Sequence, residues 1–307
     1  FRRVLFRLEN KQMITSIYSG GGIGNQLIYT TNLLATAYEN NINFKNIAFK
    51  AERYFKVDLK KINCKNEWAG RKTIFLQKYV NLCLRLGIKP FGVKCFIDDY
   101  NSMKEYLKQG DGTVYCWPYY DFINLYKNQQ IIREAIVLKE KYRSVIDDEF
   151  NSLKQEKNTI IGVHIRHSDY KYWLGGRYYY DYEIYMKCLL SVEKQINNCI
   201  FVIFSDEDIS TNIYKYDLKL YIPKNSSEIF DLIFLSKCDY IIGPPSTFSG
   251  WASFYGNVPK YTIFSEEDVN KGVNISDFGV YMIDYIDDKM DEGEKIKQKI
   301  IEGKLVE

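Results

Sequence analysis

The chain has 307 residues, 46% hydrophobic and 26% charged, with six prolines and no Gly/Ser-rich tract, a make-up that excludes long disorder or a flexible linker. Its length exceeds what one hydrophobic core usually organises and favours two domains of roughly 150 residues each. Net charge is only +3, yet the first 100 residues carry 17 Lys/Arg against 7 Asp/Glu and the remainder 25 against 32, a pattern open to an anionic partner or, more ordinarily, to scattered solvated lysines.

Met13 directly precedes the first strand-like run, so residues 1–12 are expected to lie upstream of the folded part, and no apolar stretch after Arg2 and Arg3 suits a signal peptide. Ile14 to Ser19 reads as a strand, Gly20 to Gly24 as a tight loop and Gln26 to Glu39 as a helix. Residues 46–57 and 93–97 read as further strands. Between them, residues 73–86 place Phe75, Tyr79, Leu82 and Leu86 on one helical stripe flanked by Arg71, Lys72, Lys78 and Arg85. That stripe suits a helix covering its domain, or one lying against an anionic membrane. Residues 128–153 read as two helices.

From residue 158 the punctuation is regular: strand 159–166, helix 179–195, strands 199–204 and 218–222, helix 226–237, strand 239–243, helix 247–255 and strand 260–264. Strands alternating with helices specify an α/β fold with mostly parallel sheets covered on both faces. The expected architecture is two Rossmann-like domains facing across a cleft, an acceptor-side domain over 13–155 and a nucleotide-sugar-binding domain over 156–307.

Three segments carry the chemistry. In the strand ending Gly162-Val163-His164-Ile165-Arg166, strand alternation points His164 and Arg166 the same way. Ligands of open α/β sheets bind beyond the carboxyl ends of the strands, and Asp169, three residues on, is placed to brace the arginine fork; a structural ion pair is the plainer reading. The segment from Asp239 to Trp251 reads as a buried strand, the turn Gly243-Pro244-Pro245 and a helix start carrying Ser246, Thr247 and Ser249. A helix amino terminus with extra hydroxyls suits phosphate, although capping alone accounts for one of them. The loop Gly20-Gly21-Gly22-Ile23-Gly24-Asn25-Gln26 has no Walker lysine and no third glycine of a dinucleotide fingerprint. It allows close backbone approach to a ligand, with Asn25 and Gln26 at the helix start, or is an ordinary tight turn.

Together these segments resemble the α-1,2-fucosyltransferases of glycosyltransferase family 11, within the wider GDP-fucose fucosyltransferase superfamily. The family's G-G-x-G-N-Q loop reads Gly21 to Gln26 here, its H-x-R-R-G-D-Y motif reads His164 to Tyr170, and its late S-T/S-F-S-x-W segment reads Ser246 to Trp251. The resemblance implies a GT-B fold and metal-independent, inverting transfer of fucose from GDP-fucose to a sugar hydroxyl. It assigns Arg166 to the donor β-phosphate, His164 to the nucleotide, Ser246, Thr247 and Phe248 to the phosphate cradle, and Gly24 and Asn25 to the transferred sugar or acceptor. The second arginine of the family motif is His167 here and its glycine is Ser168, which puts a second fixed charge on the diphosphate in question.

Asp206 and Asp208, after the strand Ile200 to Phe204, are placed to meet the ribose or base, to cap a solvated helix, or to imitate a metal-binding D-x-D. Tyr170, Tyr172, Trp173, Tyr178, Tyr179, Tyr180 and Tyr182 surround Gly175-Gly176; they suit core packing, or a hinged lid whose rings stack on sugar. Seven cysteines without a C-x-x-C pair and only two histidines speak against a disulfide framework or a zinc site, so neither a metal nor a bound cofactor is expected. The expected partners are a nucleotide-sugar donor and a glycan acceptor, lipid-linked or free, with no nucleic acid and at most peripheral membrane contact. The expected location is the cytoplasm or the inner face of its membrane, since no apolar run approaches roughly 18 residues.

Overall fold

The computed structural model describes residues 13–280 apart from 19, 59–60, 63, 67–68, 98–99, 110, 118–120, 155–157 and 210. They form two compact units that divide between Leu138 and Lys139.

In the first unit β1 (Met13–Ser16), α1 (Ile23–Glu39), β2 (Asn43–Asn46), β3 (Phe55–Val57), β4 (Cys64–Asn66), α2 (Arg71–Arg85), β5 (Val93–Ile97), α3 (Tyr100–Gln109), β6 (Gly112–Trp117), α4 (Phe122–Lys127), α5 (Gln129–Ala135) and β7 (Ile136–Leu138) follow one another. Five of the strands form a sheet in the order β4-β2-β1-β6-β5, every described pairing parallel. Ile14, Phe44 and Val114 fill its core. Helix α1 is buried almost all round, and its polar residues are absorbed internally: Asn32 Nδ2 donates to the Ile28 carbonyl and Thr36 Oγ1 to Asp121. The continuous strand expected over 46–57 is broken. The Ala51 amide donates to Gln26 Oε1, the chain makes a short 3-10 turn at Lys50–Arg53, and only β3 resumes, pairing antiparallel with β7 in a separate ribbon.

The second unit holds α6 (Glu140–Lys154), β8 (Thr159–Ile165), α7 (Tyr182–Glu193), β9 (Cys199–Ser205), β10 (Leu220–Tyr221), α8 (Glu228–Leu235), β11 (Tyr240–Gly243), α9 (Thr247–Gly256), β12 (Lys260–Thr262) and α10 (Glu266–Lys271). Its sheet, β10-β9-β8-β11-β12, is parallel in every described pair. Strands β8 and β9 are buried on both faces, which explains their near-continuous apolar sequences. Gly162 is needed because a Cβ there would stand 2.6 Å from Leu235 of α8. Helix α6 packs on α8 and β8; the division therefore falls before it, rather than near residue 155.

The chain runs from β8 outward through β9 to β10, then crosses to β11 and β12 on the other side. The reversal lies between β8 and β11, and a crevice opens beyond the carboxyl ends of strands at such a point.

Candidate active site

Beyond β8, alternation delivers the expected split. His164 is 6% exposed, while Ile165 and His167 turn to the opposite face. The His167 ring is buried, with Nε2 2.8 Å from the Tyr180 carbonyl and the rings of Tyr179 and Tyr182 within 4.9 Å. The departure from the arginine motif is thus a core packing element, and the side chain at 167 does not point to the strand edge.

Arg166 is clamped. Its Nε and Nη2 each lie 2.8 Å from Asp169 Oδ1, and its Nη1 lies 3.1 Å from Asp206 Oδ2. Nε makes the hydrogen bond and the two Nη contacts are ion pairs, and the side chain is 34% exposed. Asp206 also accepts from the His167 amide at 2.9 Å and from Ser168 Oγ. Burial works against its ionisation, but these hydrogen bonds and the arginine charge hold the carboxyl below its ordinary range. Its oxygens brace the 166–168 turn, a role the sequence reading did not foresee.

Beyond β11, Ser246 caps α9 by accepting from the Phe248 amide at 3.2 Å. Ser246, Thr247 and Phe248 are half-buried at the helix tip, whereas Ser249 is wholly buried behind it. Helical rotation past the cap turns that third hydroxyl inward, so the cradle has two side-chain hydroxyls and not three.

Two contacts join the turns. The Tyr170 hydroxyl donates to the Pro245 carbonyl at 2.5 Å, with the Arg166 guanidinium 5.8 Å over the Tyr170 ring. The His164 ring lies 5.2 Å from that of Phe248, and Gly243 lets β11 come this close, because a Cβ there would stand 2.8 Å from the His164 carbonyl. Burial first, then the charges of Arg166 and Lys260, push His164 down to about 3. A neutral imidazole results, and its buried Nδ1 has no protein partner.

Two groups escaped sequence reasoning. Lys260 is fully buried at the start of β12, with Nζ 3.5 Å from the Pro244 carbonyl, and adds positive charge beneath the 244–246 turn. A lysine inside a run of strand formers after Pro259 was its signal. Asp231, in the first turn of α8, keeps one buried oxygen without a partner, and burial pushes its carboxyl up to about 7. Nothing in its helical periodicity set it apart.

The aromatic run divides. Tyr170, Tyr178 and Tyr180 join the core, while Tyr172 is 80% exposed beside Leu174, Gly175 and Gly176, all at positive φ. In the first unit, Gly24 is buried in the opening turn of α1 and Asn25 is half-buried. Gly21, at φ +68°, must lack a Cβ, which would fall 2.1 Å from the Asn25 amide. Gln26 is buried, its amide donating to the Gly21 carbonyl, so it fastens the loop and presents nothing outward.

The chain matches the model of glycosyl transferase family 11 over residues 29–266. No curated protein sequence matches it. Among solved structures it is similar to a mutant of Arabidopsis thaliana FUT1 in complex with GDP, at 10% identity and a TM-score of 0.58 over 91% of this chain and 76% of that one. It is also similar to the fucosyltransferase NodZ from Bradyrhizobium, at 14% identity and a TM-score of 0.53 over 82% of this chain and 95% of that one. NodZ soaked with GDP-fucose, described as an alpha-1,6-fucosyltransferase, gives the same identity and score over 88% of this chain and 97% of its own. These likenesses fix the fold as the GT-B type of two Rossmann-like units, and the family match, spanning most of the sequence, makes this chain a member of glycosyl transferase family 11.

Proposed function

We propose that the protein transfers L-fucose from GDP-fucose to a glycan hydroxyl with inversion, forming an α-1,2 linkage. The observation that carries this reading is the bridge from Tyr170 to Pro245, which ties the arginine turn to the tip of α9 at the reversal point of the sheet. A cationic fork and a helix amino terminus then meet one diphosphate. The three motifs support fucose and the linkage, and the GDP and GDP-fucose complexes of the structural neighbours agree with the donor.

In this scheme the acceptor oxygen bonds to the anomeric carbon and its hydroxyl proton passes to solvent, while the bond from that carbon to the β-phosphate oxygen breaks and its electron pair leaves on GDP. The Arg166 guanidinium and the α9 terminus meet charge that grows only as the bond breaks, so they favour the transition state over the ground state. Asp169 and Asp206 hold the guanidinium in place. His164 offers its unpartnered nitrogen to the nucleotide. Gly24 and Asn25 of the first unit serve the transferred sugar or the acceptor. No divalent metal takes part, and the product is a surface polysaccharide or O-antigen unit made at the cytoplasmic side.

The test is release of GDP from GDP-fucose in EDTA, with and without glycan acceptors, alongside binding of GDP, UDP and CDP. Preferential GDP binding with metal-free turnover is expected. Absence of GDP binding, or turnover with a UDP- or CDP-sugar instead, would sink the proposal.

A further inference from the structure

The surface built by α2 and the following turn has no part in the transfer scheme proposed above. Helix α2 is held to its unit by Thr73, Val80 and Cys83, which are buried, and by Gln77 Nε2 donating to the Ile17 carbonyl at 2.7 Å. These contacts use one side. Helical spacing puts Arg71, Phe75, Lys78, Leu82, Arg85 and Leu86 on the opposite side, where Phe75 is 73% exposed, Leu82 56% and Leu86 63%. The turn that follows carries Ile88, Lys89 and Phe91, the last 92% exposed, and is pinned to the helix by its Phe91 amide donating to the Tyr79 hydroxyl at 2.8 Å. Strand β5 follows at the edge of the sheet, and alternation sets exposed Ile97 on the face of Cys95 and Lys94 on the other, with Phe96 against Tyr106 of α3.

Across residues 71–91, α2 and its turn, there are five Lys/Arg and no Asp or Glu. Solitary exposed apolar side chains need no explanation, but a contiguous band of them interleaved with cations of one sign does. We propose that this face lies on an anionic phospholipid bilayer, with Phe75, Leu82, Leu86 and Phe91 entering the headgroup boundary and the lysine and arginine heads reaching lipid phosphates along apolar stems. Charge decides the occupant. A two-fold contact between copies would set this patch against itself and oppose like charges without a carboxylate to offset them. Nucleic acid would match the charge and leave the aliphatic band in water. No helix among the described residues is long and apolar enough to cross a membrane, so the contact is a surface one.

The experiment sediments the full chain with vesicles of phosphatidylcholine containing phosphatidylglycerol, and with vesicles of phosphatidylcholine alone. Binding is expected to the first, falling with added salt, and at least about tenfold weaker to the second. Each cation near an anionic surface is worth roughly fivefold, so Lys78→Glu with Arg85→Glu should weaken binding about 25-fold or more. Phe75→Ser with Leu82→Ser should abolish it, with Phe91→Ser as the second variant should the helix double variant fail to fold. Thermal midpoint and GDP release in solution should stay unchanged in the folded variants. Equal binding to both vesicle types, or undiminished binding by the charge-reversed variant, overturns the proposal. So does a fall in the sedimentation coefficient of the lipid-free chain in the Phe75→Ser, Leu82→Ser variant, which would assign the face to contact between copies.

Discussion

In both units the chain leaves a central strand, fills one side of a parallel sheet and crosses to the other, so that β1 and β6 frame one reversal as β8 and β11 frame the other. The turns loaded onto those frames differ. After β8 stands a guanidinium held by two carboxylates, opposite a capped helix tip. After β1 stands a glycine loop folded round the uncharged amide of Asn25. One topology therefore supplies two switch points, and the groups on the turns after β1 and β8 give them different chemistry, which the proposed scheme reads as phosphate binding at the second.

The sharpest break in that comparison is Arg166→Ala. Loss of the charge should lower kcat by about 1,000-fold or more while the thermal midpoint holds. A near-normal rate would remove the arginine from the scheme. Asn25→Ala tests the other turn: kcat/KM should fall roughly tenfold, the worth of one well-placed hydrogen bond, with GDP affinity unaltered in calorimetry. Equal loss of GDP affinity would erase the division of labour.

Gly243→Ala forces a methyl group against the His164 carbonyl and should cost about 2 kcal/mol in urea unfolding. The same substitution at Gly22, where a Cβ meets nothing within 4 Å, should be far milder. The smallest effect is a slope. Folded His164 resists protonation down to about 3, so the unfolded chain binds its proton first and stability falls as pH drops below the ordinary histidine range. Folded Asp231 holds its proton up to about 7, so its contribution is present at low pH and lost as pH rises from its ordinary value toward 7. The two oppose each other. Asp231→Asn should therefore steepen the loss of thermal midpoint on acidification from pH 6.5 to 4; an unchanged slope would mean that Asp231 titrates normally.

The β8 segment was legible because period-two alternation is a rigid rule, and it set His164 and Arg166 apart from Ile165; the inward turn of His167, beyond the strand's end, was not read. The α9 tip was half legible. Helix existence followed from the punctuation, but the inward turn of Ser249 depends on where the cap falls within a few residues. In the first unit, the ribbon of β3 and β7 was invisible, since a long-range pairing of three-residue strands leaves no local pattern. Gln26 looked like a ligand group because its partner, the Ala51 amide, lies 25 residues away. The part Asp206 plays in the turn escaped for a similar reason: its partners Arg166, His167 and Ser168 stand in the turn after β8, about 40 residues away.

An imidazole that remains uncharged from mild acidity to alkalinity cannot serve as a sensor of the medium. If the proposed site holds, a nucleotide approaching His164 first meets a neutral ring, whether the surroundings are mildly acidic or not.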